Sequence, residues 1–231
     1  PRSSRTVPYI SKVTGIPSVK LATRCMLGEK LRDMGYGTGL YRQSDYIAVK
    51  VPVFSFEKIH NIDVHLGPEM KSTGEVLGLA HTFKDAVQKG LTAAGFKMKK
   101  GGRVLMTVRD RDKEELLPIA KRMRALGFEI FATGGTRSFL AENGVEATYV
   151  GKIYEGGEIL GLIESGVDYV ISTSAGNRTP ERDSVKIRRK AIEFRVPCLT
   201  SIDTAKALCD SLENYKDTHE LEMINIAKLN K

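Results

Sequence analysis

The second half of the chain alternates regularly between short apolar segments and amphipathic ones. Five segments rich in apolar and β-branched residues predict strands: VLMTV (104–108), EIFAT (129–133), TYVGKI (148–153), DYVISTS (168–174) and PCLTSI (197–202). Helical patterns cover 113–126, 138–143, 158–165, 184–194 and 204–214, and the first three of them stop at a glycine. Strand, helix and strand in repeated order indicate right-handed parallel crossovers. The pattern therefore predicts an α/β fold with a doubly wound, mostly parallel five-stranded sheet.

The first part of the chain lacks this alternation. A helical stretch over 9–27 is interrupted at Ile16 and Pro17, YIAVKVPVF (46–54) and FSFEKIH (54–60) resemble a strand and an edge, and 82–95 predicts a helix. The lysine and glycine cluster from Lys97 to Gly102 is typical of a linker. We therefore expect two domains, 1–97 and 101–231, and an incomplete α+β core in the first. The tail from Thr218 fits either an edge strand or a helix.

Composition excludes some classes of function. No run of apolar residues is long enough to span a bilayer and the N-terminus has no signal peptide, so we expect a cytoplasmic protein without a membrane partner. The net charge of +8 is spread along the chain, and its dense segments, 97–103 and 186–190, are not interleaved with aromatic residues. An anionic small molecule or protein surface is a better partner for this charge than nucleic acid. Three cysteines and four histidines without ligand spacing predict buried thiols and no metal site.

Small polar residues follow the predicted strands at their carboxyl ends. Lys113 lies in the first turn of a helix after the first strand, where we expect it to be exposed, with Asp112 as the candidate N-cap of that helix. Thr133, Gly134, Gly135 and Thr136 form a turn after the second strand. Hydroxyl groups, uncovered amides and a helix N-terminus are the components of a phosphate site, and doubly wound sheets bind ligands at this edge.

Two motifs in the first part carry a family resemblance. The stretch PRSSRTVPYISKVTG (1–15) and the segment LGPEMKSTGEV (66–76) resemble the large subunit of carbamoyl-phosphate synthases. With the α/β domain behind them, the chain is similar to the C-terminal portion of that subunit: the end of the second ATP-grasp unit, the carbamate-phosphorylating half, followed by a methylglyoxal-synthase-like allosteric domain. The resemblance places Arg2 and Arg5 in the catalytic phosphoryl-transfer site, where guanidinium groups stabilise equatorial oxygens.

The same resemblance implies an effector-phosphate site in the second domain. Its residues are those of the predicted cradle together with positions after the third and fourth strands: Lys113, Thr133, Gly134, Gly135, Thr136, Lys152, Ser172, Thr173 and Ser174. The effector is a pyrimidine or purine nucleotide, or phosphoribosyl pyrophosphate. Val51 and Cys198 replace an acidic and an aromatic residue of ornithine-responsive members, so an ornithine response is not implied.

The resemblance further implies the activity of a whole enzyme. That ligase makes carbamoyl phosphate from bicarbonate, glutamine-derived ammonia and two ATP, with Mg²⁺ or Mn²⁺, for pyrimidine and arginine biosynthesis. Its partners are a glutaminase small subunit and the remainder of the large subunit. The acidic residues that hold the metal precede the Pro-Arg pair and are not in this chain, so we expect the chain alone to be inactive and to bind no ATP. The sequence does not determine which effector binds or whether it activates or inhibits. It also leaves open the oligomeric state, including a homo-oligomer through the regulatory domain.

Two alternatives come from other functional classes. Methylglyoxal synthase, a lyase with the same fold, needs a carboxylate base in the loop after the fourth strand, commonly in a Gly-Gly-Asp element. Here that loop reads STSAGNRTPERD, with Glu181 and Asp183 displaced along it among basic neighbours, so the base is predicted to be missing. The segment KIRRK (186–190) could instead bind nucleic acid, in which case affinity would fall steeply with salt.

Overall fold

A computed structural model describes residues 4–41, 43–55, 70–173, 183–216 and 219–229. The described residues form two compact units: the first lies within Pro1–Val51, Glu75–Ala94 and Lys216–Lys231, and the second within Pro52–Gly74 and Gly95–Tyr215. The change from one unit to the other at residues 94–95 is close to the predicted linker. The described tail belongs to the first unit, where Lys216 pairs with Asp85 at 2.9 Å, although the predicted second domain ran to residue 231.

Among the described residues, the first unit contains three α-helices and most of a two-stranded sheet. Helices α1 (Thr6–Thr14) and α2 (Ser18–Met26) are separated at the predicted break, because Gly15 adopts a left-handed conformation before Pro17. Strands β1 (Ile47–Val53) and β2 (Gly74–Ala80) pair, and α3 (Phe83–Ala93) follows after an N-cap by Thr82. Strand β2 was not predicted. The expected edge FSFEKIH lies outside the described residues from 56 onward, and Phe54 and Ser55 are not in a strand.

The second unit contains the predicted five-stranded sheet. Its strands are β3 (Gly102–Thr107), β4 (Phe128–Ala132), β5 (Thr148–Tyr149), β6 (Tyr169–Ser172) and β7 (Cys198–Leu199). They are all parallel and lie in the order β5-β4-β3-β6-β7. The doubly wound parallel sheet is therefore confirmed, although β5 and β7 are each only two residues long.

Five helices cover this sheet: α4 (Lys113–Ala125), α5 (Gly134–Glu142), α6 (Glu158–Gly166), α7 (Asp183–Glu193) and α8 (Ile202–Glu213). Helix α4 contacts α5 and α8, and α6 contacts α7. Leu105 and Val170 belong to the apolar cluster of α6 and α7. Neighbouring residues of a strand point to opposite faces of the sheet, so Val104 and Met106 point to the face opposite α6 and α7. Both are fully buried. The sheet is thus covered on both faces.

The three cysteines differ in burial. Cys209 is buried as predicted, whereas Cys25 and Cys198 are only half-buried, and all three are free. Burial raises the pKa of Cys209 to about 11 and that of Cys198 to about 12, so both stay protonated at neutral pH.

Within the described ranges, no cluster of His, Cys, Asp or Glu is placed to hold a metal ion, and no helix is long and apolar enough to cross a membrane.

The start of β3 depends on a glycine. Gly102 has φ +125°, and a Cβ there would collide with the carboxylate of Asp168. That carboxylate accepts a hydrogen bond from the Arg103 amide at 2.7 Å and pairs with Lys99 at 2.6 Å. A side chain at position 102 would therefore be strained and would displace Asp168 from both partners.

Replacing Gly102 by alanine should lower the free energy of unfolding by about 1–3 kcal/mol, because the backbone strain and the lost contacts add. Gly161→Ala is the matched control: that glycine lies inside α6 with nothing within 4 Å of the new Cβ. Its substitution should raise stability by about 0.5–1 kcal/mol. Urea unfolding followed by circular dichroism measures both changes, and equal midpoints for the two variants would contradict this account of β3.

Candidate functional site

A cavity of about 520 Å³ opens at the carboxyl ends of the strands in the second unit. Three parallel strands end at it, and helices α4, α5 and α7 begin beside it. Of the predicted effector residues, the following line its wall: Lys113, Thr133, Gly135, Thr136, Lys152, Ser172 and Thr173. The cavity volume is within the range of small-molecule sites. Residues far apart in sequence thus converge as the phosphate-site prediction requires.

Lys113 contributes a positive charge to the cavity wall, as do Arg109 and Lys152. It was expected at an exposed helix start, but only 17% of its side chain is exposed, so that expectation is wrong. Its ammonium lies 3.4 Å from the place of a Cβ on Gly135, in the first turn of α5. Hence Nζ approaches the positive end of a second helix, which is unfavourable unless an anion is nearby. Asp110 supplies one, at 2.7 Å, and Lys113 holds the pKa of that carboxyl below its usual value.

The threonines after the strands organise the backbone of the cavity. Thr136 Oγ1 accepts a hydrogen bond from the Val108 amide at 3.2 Å, and the Thr133 hydroxyl donates to Thr107 Oγ1 at 3.1 Å. Helix α5 already begins at Gly134, so the predicted turn is in fact its first turn. Thr133 occupies the N-cap position but makes no capping hydrogen bond, so it leaves the first amides of α5 without a cap partner.

A second pair of contacts holds the segment between β3 and α4. The Arg109 amide donates to Thr173 Oγ1 at 3.2 Å, and the Arg109 side chain pairs with Asp112 at 2.6 Å. Asp112 precedes α4 as predicted, yet its side chain makes no capping hydrogen bond. Burial tends to raise the pKa of Asp112, but hydrogen bonds to Arg109 and Thr173 outweigh this and hold the pKa of that carboxyl below its usual value.

Ser172 places a buried hydroxyl at the wall of the cavity. The residue is 1% exposed, lies at the end of β6 and lines the cavity, yet its Oγ has no hydrogen-bond partner among the described residues. A buried hydroxyl without a partner costs about 1–3 kcal/mol. Such a cost is accounted for when the hydroxyl binds something from outside the fold.

The opposite wall is formed by the turn that follows β5. Lys152 is half-buried there, and its ammonium lies 5.6 Å from the centre of the Tyr154 ring. Glu155 holds this turn by accepting hydrogen bonds from the Lys152 amide at 2.9 Å and the Tyr149 hydroxyl at 2.8 Å. Lys152 also helps to lower the pKa of Asp110, after the larger effects of Lys113. Lys113 and Lys152 therefore both act electrostatically on the carboxylate of Asp110.

Several cavity residues were missed by sequence reasoning. They come from the end of β3 and the turn after it, from the turn after β5 and from the first turns of α7: Thr107, Val108, Arg109, Asp110, Tyr154, Asp183, Ser184 and Ile187. Their shared signal is position, since they lie at the end of a strand, in a turn that follows a strand or near the start of a helix, all at one edge of the sheet. Asp183 was expected to be displaced from the site; this was wrong, because the first turn of α7 brings it to the cavity wall. Glu181 lies outside the described residues.

The remaining predicted residues are not brought together by the structure. Gly134 faces Tyr149 at 3.7 Å from its Cβ position rather than the cavity. Arg2 and Ser174 lie outside the described residues, and Arg5 occupies the N-cap position of α1 in the first unit. Nearby, Lys50 on β1 donates to Thr6 and pairs with Glu75 at 3.4 Å. The catalytic role of the two arginines stays a prediction.

The basic segment 186–190 is part of α7. Within it Ile187 and Arg188 are buried, and Lys190 pairs with Glu164 and lies 4.9 Å from the Phe194 ring. The basic side chains therefore do not form one exposed stripe, which a nucleic-acid contact through this helix would need.

The geometry and the comparisons with known proteins together define the class. A family model described as "MGS-like domain" matches residues 115–200, which include most of the cavity. The second unit thus contains an α/β MGS-like domain. A crystal structure of methylglyoxal synthase from Elizabethkingia anophelis NUHP1 is similar over 48% of this chain and 79% of its own, with 17% identity and a TM-score of 0.38, which is too distant to carry an argument.

The particular family follows from a much closer relative. The carbamoyl phosphate synthase large chain of Lachnoclostridium phytofermentans is 52% identical over 99% of this chain. The chain therefore belongs to the carbamoyl phosphate synthase large chain family, and it spans 22% of the length of that relative.

Asp112→Asn should destabilise the protein by about 1–2 kcal/mol at pH 7, because a charged hydrogen bond to Arg109 and one to Thr173 are weakened. The pKa of Asp112 is lower in the folded state, so its contribution is present above pH 3.8 and is lost as the pH falls further. Urea unfolding at several pH values should show the variant converging on the wild type below about pH 4. Glu114→Gln, at an exposed position of α4, should have less than half the effect at pH 7; a pH-independent difference for Asp112→Asn would contradict the assignment.

Proposed function

We propose that the second unit is a regulatory domain whose cavity binds the phosphate of an anionic effector, a nucleotide or phosphoribosyl pyrophosphate. The observation that carries this proposal is the unpartnered buried hydroxyl of Ser172 in the same cavity as a half-buried lysine. A phosphate carries about −1.5 to −2 charges near neutral pH and several acceptor oxygens. It can therefore accept hydrogen bonds from Ser172 and from the amides in the first turn of α5 while it neutralises the charge of Lys113.

In the whole protein we propose that this domain controls a ligase. The relative is named for carbamoyl phosphate synthase, and the corresponding reaction joins bicarbonate, glutamine-derived ammonia and phosphoryl groups from two ATP, with a glutaminase subunit and the rest of the large chain as partners. Among the described residues, no group of three or more His, Cys, Asp or Glu is placed to hold a metal ion. The chain's own contribution is the binding of the effector, and Arg2 and Arg5 would serve phosphoryl transfer only beside the rest of that unit.

A second candidate function is a lyase reaction, and Asp183 is the observation that favours testing it. Its carboxylate lies on the wall of the cavity that contains the phosphate-binding groups, where a general base for a triose phosphate could act. Against it, Asp183 opens α7 and is accompanied there by Ser184, an arrangement that equally suits binding of hydroxyl groups. An assay for methylglyoxal formed from dihydroxyacetone phosphate decides between them: turnover abolished by Asp183→Asn would establish the lyase.

Lys113→Ala and Ser172→Ala should each weaken binding of uridine or inosine monophosphate in calorimetry. The lysine contributes a charge-assisted hydrogen bond, so its loss should reduce affinity about ten- to hundredfold, and loss of the serine about fivefold. Neither should unfold the protein, since Lys113→Ala leaves Asp110 to water and Ser172→Ala removes a hydroxyl without a described partner. Thr136→Val is a poorer probe, because it also orphans the Val108 amide.

The result that would refute the site is unchanged affinity of Lys113→Ala for every phosphorylated ligand that the wild type binds. Lys121→Ala is a matched control, since it removes an exposed lysine from the same helix outside the cavity.

Asp110→Asn should strengthen phosphate binding by roughly three- to tenfold. The carboxylate is 96% exposed and pairs with the half-buried ammonium that the phosphate needs, so it competes with the ligand and can be displaced easily. Glu114→Gln, which removes the same charge from the exposed side of α4, should change affinity less than twofold. Titrations with inorganic phosphate at constant ionic strength measure both, and equal effects would show that only net charge matters.

A further inference from the structure

Tyr154 is an aromatic side chain that the fold leaves uncovered on the cavity wall. It is 73% exposed, although aromatic rings gain much when they are buried. It lines the same cavity as Lys113 and Ser172. Nothing in the packing of the described residues requires a large ring at this position.

The ring is nevertheless held in place. Tyr154 lies in the single turn Ile153–Glu155, which Glu155 closes through the Lys152 amide. Hydrogen bonding to the Lys152 backbone, to Tyr149 and to Tyr154 lowers the pKa of Glu155, so that its carboxylate stays charged and anchors both tyrosines. A ring that is exposed but held pays little conformational entropy when it binds a ligand.

A cation also accompanies the ring. Lys152 Nζ lies 5.6 Å from the Tyr154 ring centre, within the range of a cation–π contact. An anionic group bound near Lys152 would therefore bring any attached planar group toward this ring. The cavity of about 520 Å³ is far larger than an inorganic phosphate, so it has room for such a group.

We propose that Tyr154 is the platform on which the base of the ligand stacks, so that the cavity takes a nucleoside monophosphate in preference to a sugar phosphate. This rests on the proposed function, because it assumes that Lys113 and Ser172 hold the phosphate. Stacking on an aromatic ring is tolerant of base identity and adds affinity without hydrogen bonds. Tyr154 is thereby a specificity-determining residue for the base, separate from the phosphate-binding groups.

Calorimetry on the full 231-residue chain tests this with two probes, ribose 5-phosphate and inosine monophosphate, which share the sugar phosphate and differ in the base. Tyr154→Ala should weaken inosine monophosphate about five- to thirtyfold and change ribose 5-phosphate less than twofold. Tyr154→Phe keeps the ring but loses the hydroxyl contact with Glu155, so it should weaken inosine monophosphate less than Tyr154→Ala does and leave ribose 5-phosphate unchanged. Phe194→Ala is the matched control: Phe194 is 46% exposed and also accompanied by a lysine, but lies outside the cavity lining.

The outcomes separate the two proposals. If Lys113→Ala weakens both probes while Tyr154→Ala weakens neither, or weakens both equally, base stacking is refuted and the phosphate site stands. If the wild type binds neither probe, the proposed function fails and the stacking proposal with it. Selective loss of inosine monophosphate in Tyr154→Ala, with an unchanged melting curve and unchanged behaviour of Phe194→Ala, establishes the platform.

Discussion

The parallel pairing of β3 with both β4 and β6 determines where this domain can bind a ligand. From β3 the chain proceeds outward through β4 to β5, then returns to the other side of β3 as β6 and continues to β7. The connections after β3 and β6 therefore leave in opposite directions and open a crevice at their carboxyl ends. Thr107 and Ser172 are register partners at that point, and the crevice continues into the cavity described above.

The threonines at this edge serve structure and binding together. The segment after β3 has amides that no strand can pair, and Thr136 and Thr173 provide acceptors for two of them. The same two side chains line the cavity, so the groups that fix its shape are also available to a ligand. Ser172 differs from them because its hydroxyl has no described structural partner. Mutational effects on binding and on stability should therefore separate at Ser172 and coincide at Thr136.

The sequence predicted the sheet well because its signals are local. Helix α4 and the break between α1 and α2 were marked by glycine and proline, and the apolar segments located all five strands of the second unit. Strand β2 was missed because GEVLGLA contains two glycines, which are unfavourable in strands unless a neighbour approaches closely. Here one does: a Cβ on Gly78 would overlap the backbone of α3. Such long-range contacts are not visible in a local pattern.

The site was predicted less completely, since burial and pairing depend on tertiary structure. A lysine in the first turn of a helix is usually exposed, and nothing in DRDK indicates that Lys113 would turn inward toward Gly135 or pair with Asp110. Likewise the loop STSAGNRTPERD gave no sign that Asp183 would open α7 beside the cavity. The residue types indicated a phosphate site, but the sequence did not indicate which way their side chains point.

The electrostatics of Lys113 follow from these placements. Its own helix begins there and α5 begins beside its ammonium, so two positive helix ends and one cation lie close together, which costs free energy in the absence of an anion. Asp110 offsets part of that cost from an exposed position, where solvent weakens its attraction. In the proposed site, a phosphate would interact with both helix ends and with the ammonium, in place of the ion pair that Asp110 makes with Lys113. The free energy of binding would then be set by the difference between the two anions.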